Sequence, residues 1–117
     1  MSEVIDSITL RRDLMEAGHN LREAIERARE ASIEYVRAKH GYETAFAQAF
    51  IAAEGSAPLR KQIAILATAE LAQAADEALE RKRMAKIDVE AFQGVVSALQ
   101  TVGSTAKAEM RLAGYGS

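Results

Sequence analysis

The stretch that decides the fold is Ala17-Gly-His-Asn-Leu-Arg-Glu-Ala-Ile-Glu-Arg-Ala-Arg-Glu-Ala31, in which an alanine returns every seventh residue. This alanine column continues to Ala52, and Leu10 precedes it in the same register. A second seven-residue column lies three and four residues away, as the a and d positions of a coiled coil require. We therefore expect self-association through these columns. The residues assigned to it are Leu14, Ala17, Leu21, Ala24, Ala31, Tyr35, Ala38, Tyr42, Ala45 and Ala52.

The composition favours helix over the whole chain, because 24 of the 117 residues are alanine and proline occurs once. The only strong helix-breaking cluster is Glu54-Gly-Ser-Ala-Pro58. Gly55 can end one helix in a left-handed conformation, and Ser56 can cap the next, with Pro58 in its first turn. We predict one helical-hairpin domain: a helix over about 7–53, a turn at 54–56, a helix over about 57–112 and a frayed tail at 113–117.

The second predicted helix repeats the seven-residue pattern less regularly. One column is continuous and consists of Ala64, Leu71, Ala78, Ala85, Phe92, Leu99, Ala106 and Ala113. Its predicted companion contains Ala67, Ala74, Val95 and Val102, and charged Arg81 and Asp88 interrupt it.

A chain that folds back at residues 56 and 57 brings positions whose numbers sum to roughly 113 to one level. This register predicts that Arg83 lies near Glu30 and Lys86 near Glu26, within a layer of ion pairs between the helices.

A hairpin alone buries only one stripe of each helix, yet many apolar residues lie outside the columns. They are Ile25, Ile33, Val36, Phe46, Phe50, Ile51, Ile63, Ile65, Leu66, Val89, Val96 and Met110. If all of these side chains were exposed, the apolar area would exceed what soluble monomers usually expose. The predicted fold class is therefore all-α, a long antiparallel coiled-coil-like hairpin that dimerises into a four-helix bundle.

Several classes of function have no support in the sequence. No nucleophile–base–acid group and no glycine-rich phosphate loop is visible, so we expect no enzyme, no catalytic residue and no cofactor. We expect no metal site, because His19 and His40 are too far apart on one helix to share an ion. The acidic start Met1–Asp6 is unlike a signal peptide, and no apolar stretch is long enough to cross a bilayer. We expect a cytoplasmic protein that binds no membrane.

The basic residues allow two interpretations. Residues 81–86 and the hairpin tip carry six of them: Arg60, Lys61, Arg81, Lys82, Arg83 and Lys86. They can form structural ion pairs, or they can contact nucleic acid or a partner protein. The net charge of −2 and the lack of aromatic residues within the basic run favour the structural interpretation. A secreted hairpin of the WXG type requires a tryptophan at the turn, and this chain has none.

Two segments carry a resemblance to a known group of proteins. Ala47 to Phe50 reads Ala-Gln-Ala-Phe, Ala53 to Ser56 reads Ala-Glu-Gly-Ser before Arg60 and Lys61, and the chain closes with Ala-Glu-Met-Arg-Leu-Ala-Gly114. Residues 35–114 thereby resemble small all-helical proteins of tailed bacteriophages and prophages, although Pro58 departs from the pattern. The resemblance implies a setting among phage recombination and replication genes, the cytoplasm of the bacterial host and a phage or host protein partner. It carries over no catalytic residue.

Overall fold

A computed structural model describes residues 7–115, and all of its regular structure is helical. The three helices are α1 (Ser7–Ala52), α2 (Ala57–Ala67) and α3 (Ala69–Tyr115). Within the described residues there is no strand, so the all-α class is confirmed. The acidic start Met1–Asp6 and the last two tail residues, Gly116 and Ser117, lie outside the described residues. The rest of the predicted frayed tail, residues 113–115, belongs to α3.

Internal contacts divide the chain into two units. The terminal unit contains residues 7–26 and 87–115, and the turn unit contains Arg27–Lys86. The single-domain organisation stays a prediction.

The turn after α1 has the local chemistry that the sequence predicts. Gly55 has a φ of 115°, in the region that side chains with a Cβ rarely adopt. Ser56 is the N-cap of α2, and its hydroxyl accepts a hydrogen bond from the Leu59 N–H at 3.4 Å. Pro58 lies in the first turn of α2, where the missing N–H leaves no hydrogen bond unmade.

The predicted second helix is wrong in its continuity, because Thr68 separates α2 from α3. Thr68 is 3% exposed, and its hydroxyl donates a hydrogen bond to the Ala64 carbonyl at 2.7 Å. The Thr68 N–H reaches the same carbonyl at 3.1 Å, so one oxygen accepts two bonds. Threonine that bonds back to its own helix in this way bends the helix. By contrast, α1 and α3 run unbroken through their interior glycines.

The least exposed stripe of α1, which we call its contact stripe, coincides with the two predicted columns. Ala17, Ala24 and Ala31 are each less than a tenth exposed. The other stripe members are half-buried: Leu10, Leu14, Leu21, Ala28, Tyr35, Ala38, Tyr42, Ala45 and Ala49. Ala52 departs from the column because it is the last residue of α1 and is exposed.

On α2 and α3 the predicted companion column is wrong by one residue. The buried or half-buried companions are Thr68, Ala75, Lys82, Val89, Val96 and Gly103, whereas Ala67, Ala74, Val95 and Val102 are exposed. The observed column leaves Arg81 and Asp88 outside the stripe. Since an ion is costly to desolvate, the helix presents the column that contains only one charged residue, Lys82. Val89 and Val96 therefore belong to the contact stripe, not to the outer surface.

In the terminal unit the two helical segments run antiparallel. A Cβ added to Gly103 would lie 3.4 Å from Leu10 Cδ2, so the start of α1 passes close to the backbone of α3. Further along α1, Asn20 lines a shallow groove together with Phe92.

Candidate interaction site

The first half of the basic run contacts α1 within the turn unit. Arg81 Nη2 lies 3.6 Å from Glu34 Oε1, and both side chains remain more than half exposed. Lys82 is half-buried, and its ammonium lies 5.1 Å from the centre of the Tyr35 ring, within the range of a cation–π interaction. These two basic side chains are therefore engaged in packing α3 against α1.

The second half of the run does not make the predicted pair. Arg83 Nη1 lies 3.6 Å from Glu80 Oε2 on the same helix, and its predicted pair with Glu30 is absent from the described part of the chain. Glu30 comes one residue before Ala31 of the stripe, whereas Arg83 comes one residue after Lys82, so the two side chains lie on opposite sides of the packed helices. Lys86 is exposed, and its pairing stays a prediction.

The hairpin tip holds one basic residue in place and leaves the other exposed. Arg60 Nε donates a hydrogen bond to the Phe50 carbonyl at 3.1 Å, and the guanidinium lies 4.5 Å from the centre of the Phe50 ring. Arg60 thus ties α2 to the end of α1. Lys61 is exposed.

The residues predicted for self-association lie mostly on the contact stripe of α1. This placement accounts for their apolar pattern by packing within one chain. Self-association through these particular residues stays a prediction, and Ala52 lies outside the stripe.

The turn unit has two chemically different sides. The Glu34–Arg81 pair lies on one side. Glu34 comes one residue before Tyr35 of the stripe, and Arg81 comes one residue before Lys82. The same side carries Arg27, Gly41, Gln48, Ala67 and Ala74, all of which are exposed. We call it the charged side.

On the opposite side, each residue comes one position after a member of the alanine column of α1 or of the column that begins at Ala64. Six uncharged residues occupy it, and we call them the apolar face: Ser32, Phe46, Ala53, Ile65, Ala72 and Leu79. All except Ile65 are half-buried, and Ile65 is 41% exposed. The same two rows contain Lys39, whose Nζ lies 3.9 Å from Glu43 Oε1, and Lys86 at the end of the unit. Of this set, only Phe46 and Ile65 stand out in the sequence as apolar residues outside the columns; the signal for the rest is their position one residue after a column.

The terminal unit contains an open groove of about 800 Å³ between the start of α1 and the end of α3. Leu10, Leu14 and Met110 supply apolar lining, and Arg11 and Lys107 also line it. Among the described residues, the lining contains no His, Asp or Glu.

Other site chemistry is sparse in residues 7–115. Within the part of the chain that the structure describes, no group of three or more His, Asp or Glu side chains is placed to hold a metal ion. His19 Nε2 lies 3.3 Å from Glu23 Oε1, one helical turn away. No helix in this range is both long and apolar enough to span a membrane.

The chain matches no protein-family model, no curated protein and no solved structure.

Proposed function

We propose that this protein is a non-enzymatic helical hairpin that self-associates and serves as an oligomeric adaptor. One observation carries the proposal: every buried apolar residue in the described range is an alanine. These residues are Ala17, Ala24, Ala31, Ala64, Ala75 and Ala78. No large side chain in this range is fully buried, so the larger apolar residues find only partial cover within one chain.

The energetics favour a second layer over this surface. Burial of apolar area contributes roughly 25 cal/mol per Å², and complete burial of one Leu or Ile contributes about 1.5–3 kcal/mol. Ile51, Leu66 and Val36 are 75%, 78% and 62% exposed, so most of their contribution is not realised in a single chain. Packing against other chains would realise it. An antiparallel four-helix bundle dimer is the simplest assembly of two hairpins.

The concentration dependence of thermal unfolding tests this proposal. For a chain whose folded state is an oligomer, dilution lowers the Tm, because association stabilises only the folded state. We expect the Tm, followed by circular dichroism at 222 nm, to fall on hundredfold dilution. A Tm that is independent of concentration, in a chain that remains helical, contradicts self-association.

The resemblance of residues 35–114 to bacteriophage proteins supports a more specific setting. We propose an accessory role in phage DNA recombination or replication, in the cytoplasm of the bacterial host, with a phage or host protein as partner. Capture of partners by the tagged chain in infected cells tests this setting. Enrichment of phage replication or recombination proteins supports it, and their absence contradicts it.

Nucleic-acid binding is the second candidate function, and the exposure of Lys61, Arg83 and Lys86 favours it. Arg83→Glu combined with Lys86→Glu should abolish a salt-dependent mobility shift of single-stranded DNA. Arg22→Glu combined with Arg37→Glu makes a matched control, because it reverses two exposed basic charges outside the basic run. No shift with the wild-type chain at low salt contradicts this candidate.

A further inference from the structure

We infer that the apolar face of the turn unit binds a second copy of this chain. The inference rests on the proposed self-association and names the surface that carries it.

The two sides of the turn unit differ in charge. On the charged side, Arg81 and Glu34 extend across the contact stripe and would have to be desolvated by any covering helix. Beside that pair, the positions on the apolar face are Ser32 and Leu79. Covering these rows requires little desolvation of charge. Of their two lysines, Lys39 already lies beside the Glu43 carboxylate, and Lys86 lies at the end of the unit.

The shape of the apolar face also suits a neighbouring helix. Ala53 and Ala72 are small, so a neighbouring helix can approach closely there. Phe46 packs against Tyr42, with ring centres 6.1 Å apart and planes tilted by 57°. This contact fixes the orientation of an aromatic side chain that is only half-buried. Such side chains are typical anchors of protein–protein interfaces.

The flank of the turn unit on this side has the area that a dimer needs. The α1 part of the turn unit, Arg27–Ala52, is about 39 Å long at a rise of 1.5 Å per residue. Two helices of about 10 Å diameter side by side give a flank of roughly 800 Å², and the apolar face lies along its centre. A stable interface of standard size also buries about 800 Å² per partner. The flank that carries the apolar face is therefore large enough for a stable dimer.

A second copy fits this face better than a partner of strong charge. Most natural oligomers pair the same patch of two subunits around a two-fold axis, and an uncharged patch is complementary to itself. Lys86 lies at the end of the unit away from the turn, so an antiparallel arrangement keeps the two Lys86 ammonium groups apart. The inferred dimer is antiparallel for this reason.

Disulfide trapping tests the surface directly, since the chain contains no cysteine. Ala72 lies near the middle of the apolar face, and Ala74 is on the charged side of the same helix. In the inferred antiparallel dimer the two-fold axis passes near the middle of the face, so the two copies of residue 72 lie close together. Bridged Cα atoms must lie within about 7 Å, and we therefore expect Ala72→Cys to form a covalent dimer on mild oxidation. The matched control Ala74→Cys should remain uncrosslinked at the same dilution.

Charge insertion gives a second readout. Ala72→Lys should weaken the dimer at least about tenfold by placing an ammonium in the interface, whereas Ala74→Lys should not. If Ala72→Lys fails to fold, disulfide trapping still shows whether the apolar face forms the interface. Should the wild type be dimeric while Ala74→Cys crosslinks and Ala72→Cys does not, the surface is wrong but self-association stands. A monomeric wild type overturns both.

Discussion

Two glycines of the turn unit should respond in opposite directions to the same substitution. Gly55→Ala places a Cβ on a residue with φ of 115°, 2.8 Å from Leu59 Cδ2. Gly41→Ala adds a Cβ inside α1, where no atom outside the local helix backbone lies within 4 Å. We expect Gly55→Ala to destabilise the protein and Gly41→Ala to stabilise it.

The magnitudes follow from the local conformations. A left-handed conformation costs a residue with a Cβ about 1–2 kcal/mol, and rotation of Leu59 away from the new methyl adds about 0.5–1.5 kcal/mol. The reduced entropy of the unfolded chain offsets about 0.4–1 kcal/mol. The free energy of unfolding should therefore fall by about 1–2 kcal/mol for Gly55→Ala. It should rise by about 1 kcal/mol for Gly41→Ala, because alanine is the better helix former.

Urea unfolding at one fixed protein concentration measures both effects, and the fixed concentration excludes a shift caused by association. Each variant serves as the control for the other, since the chemical change is identical. A destabilising Gly41→Ala would refute the reasoning. It would mean that another helix packs closely on the charged side, where the account leaves Gly41 uncovered.

Three smaller effects follow from single contacts. Ser56→Ala should lower the unfolding free energy by about 0.5–1 kcal/mol through loss of the α2 cap, and Ser56→Asp should restore most of it in the same urea assay. A double-mutant cycle of Arg81→Ala and Glu34→Ala should give a coupling below about 1 kcal/mol that shrinks in 1 M salt, because the pair is exposed; a larger, salt-independent value would place the pair in a buried site. The corresponding cycle of Lys82→Met and Tyr35→Leu should give about 0.5–1 kcal/mol, and a coupling of zero would remove the cation–π contact from the account.

The contact stripe of α1 could be predicted almost residue by residue. Its alanine column repeats without a charged interruption, so only one face of the helix can be buried. Ala52 was the exception because α1 ends there, and local sequence does not show which side of a terminal residue stays covered.

The contact stripe of α2 and α3 was harder to predict. Its continuous column, which begins at Ala64, can be joined by a companion column that starts either three or four residues later. The choice depends on which charged side chain can be accommodated between the helices. Lys82 can lie along Tyr35 with its ammonium over the ring, whereas the alternative column would bring both Arg81 and Asp88 into the contact. Which companion column is buried therefore depends on the facing helix, and the sequence of one helix alone does not determine it.

The break at Thr68 and the apolar face were missed for different reasons. A threonine within a helical pattern gives no warning that its hydroxyl will share a carbonyl with its own backbone N–H. The apolar face requires knowledge of the second column, since it lies beside the stripe on both helices. Once that column was displaced by one residue, Ala72 and Leu79 could not be assigned to one side with Phe46.

Sedimentation equilibrium of the full chain tests the central claim most directly. If a second copy covers the apolar face of the turn unit, the mass at micromolar concentration should be twice 12.7 kDa. Ala72→Lys should shift it toward the single-chain value. A wild-type mass of 12.7 kDa across the whole concentration range would contradict the account.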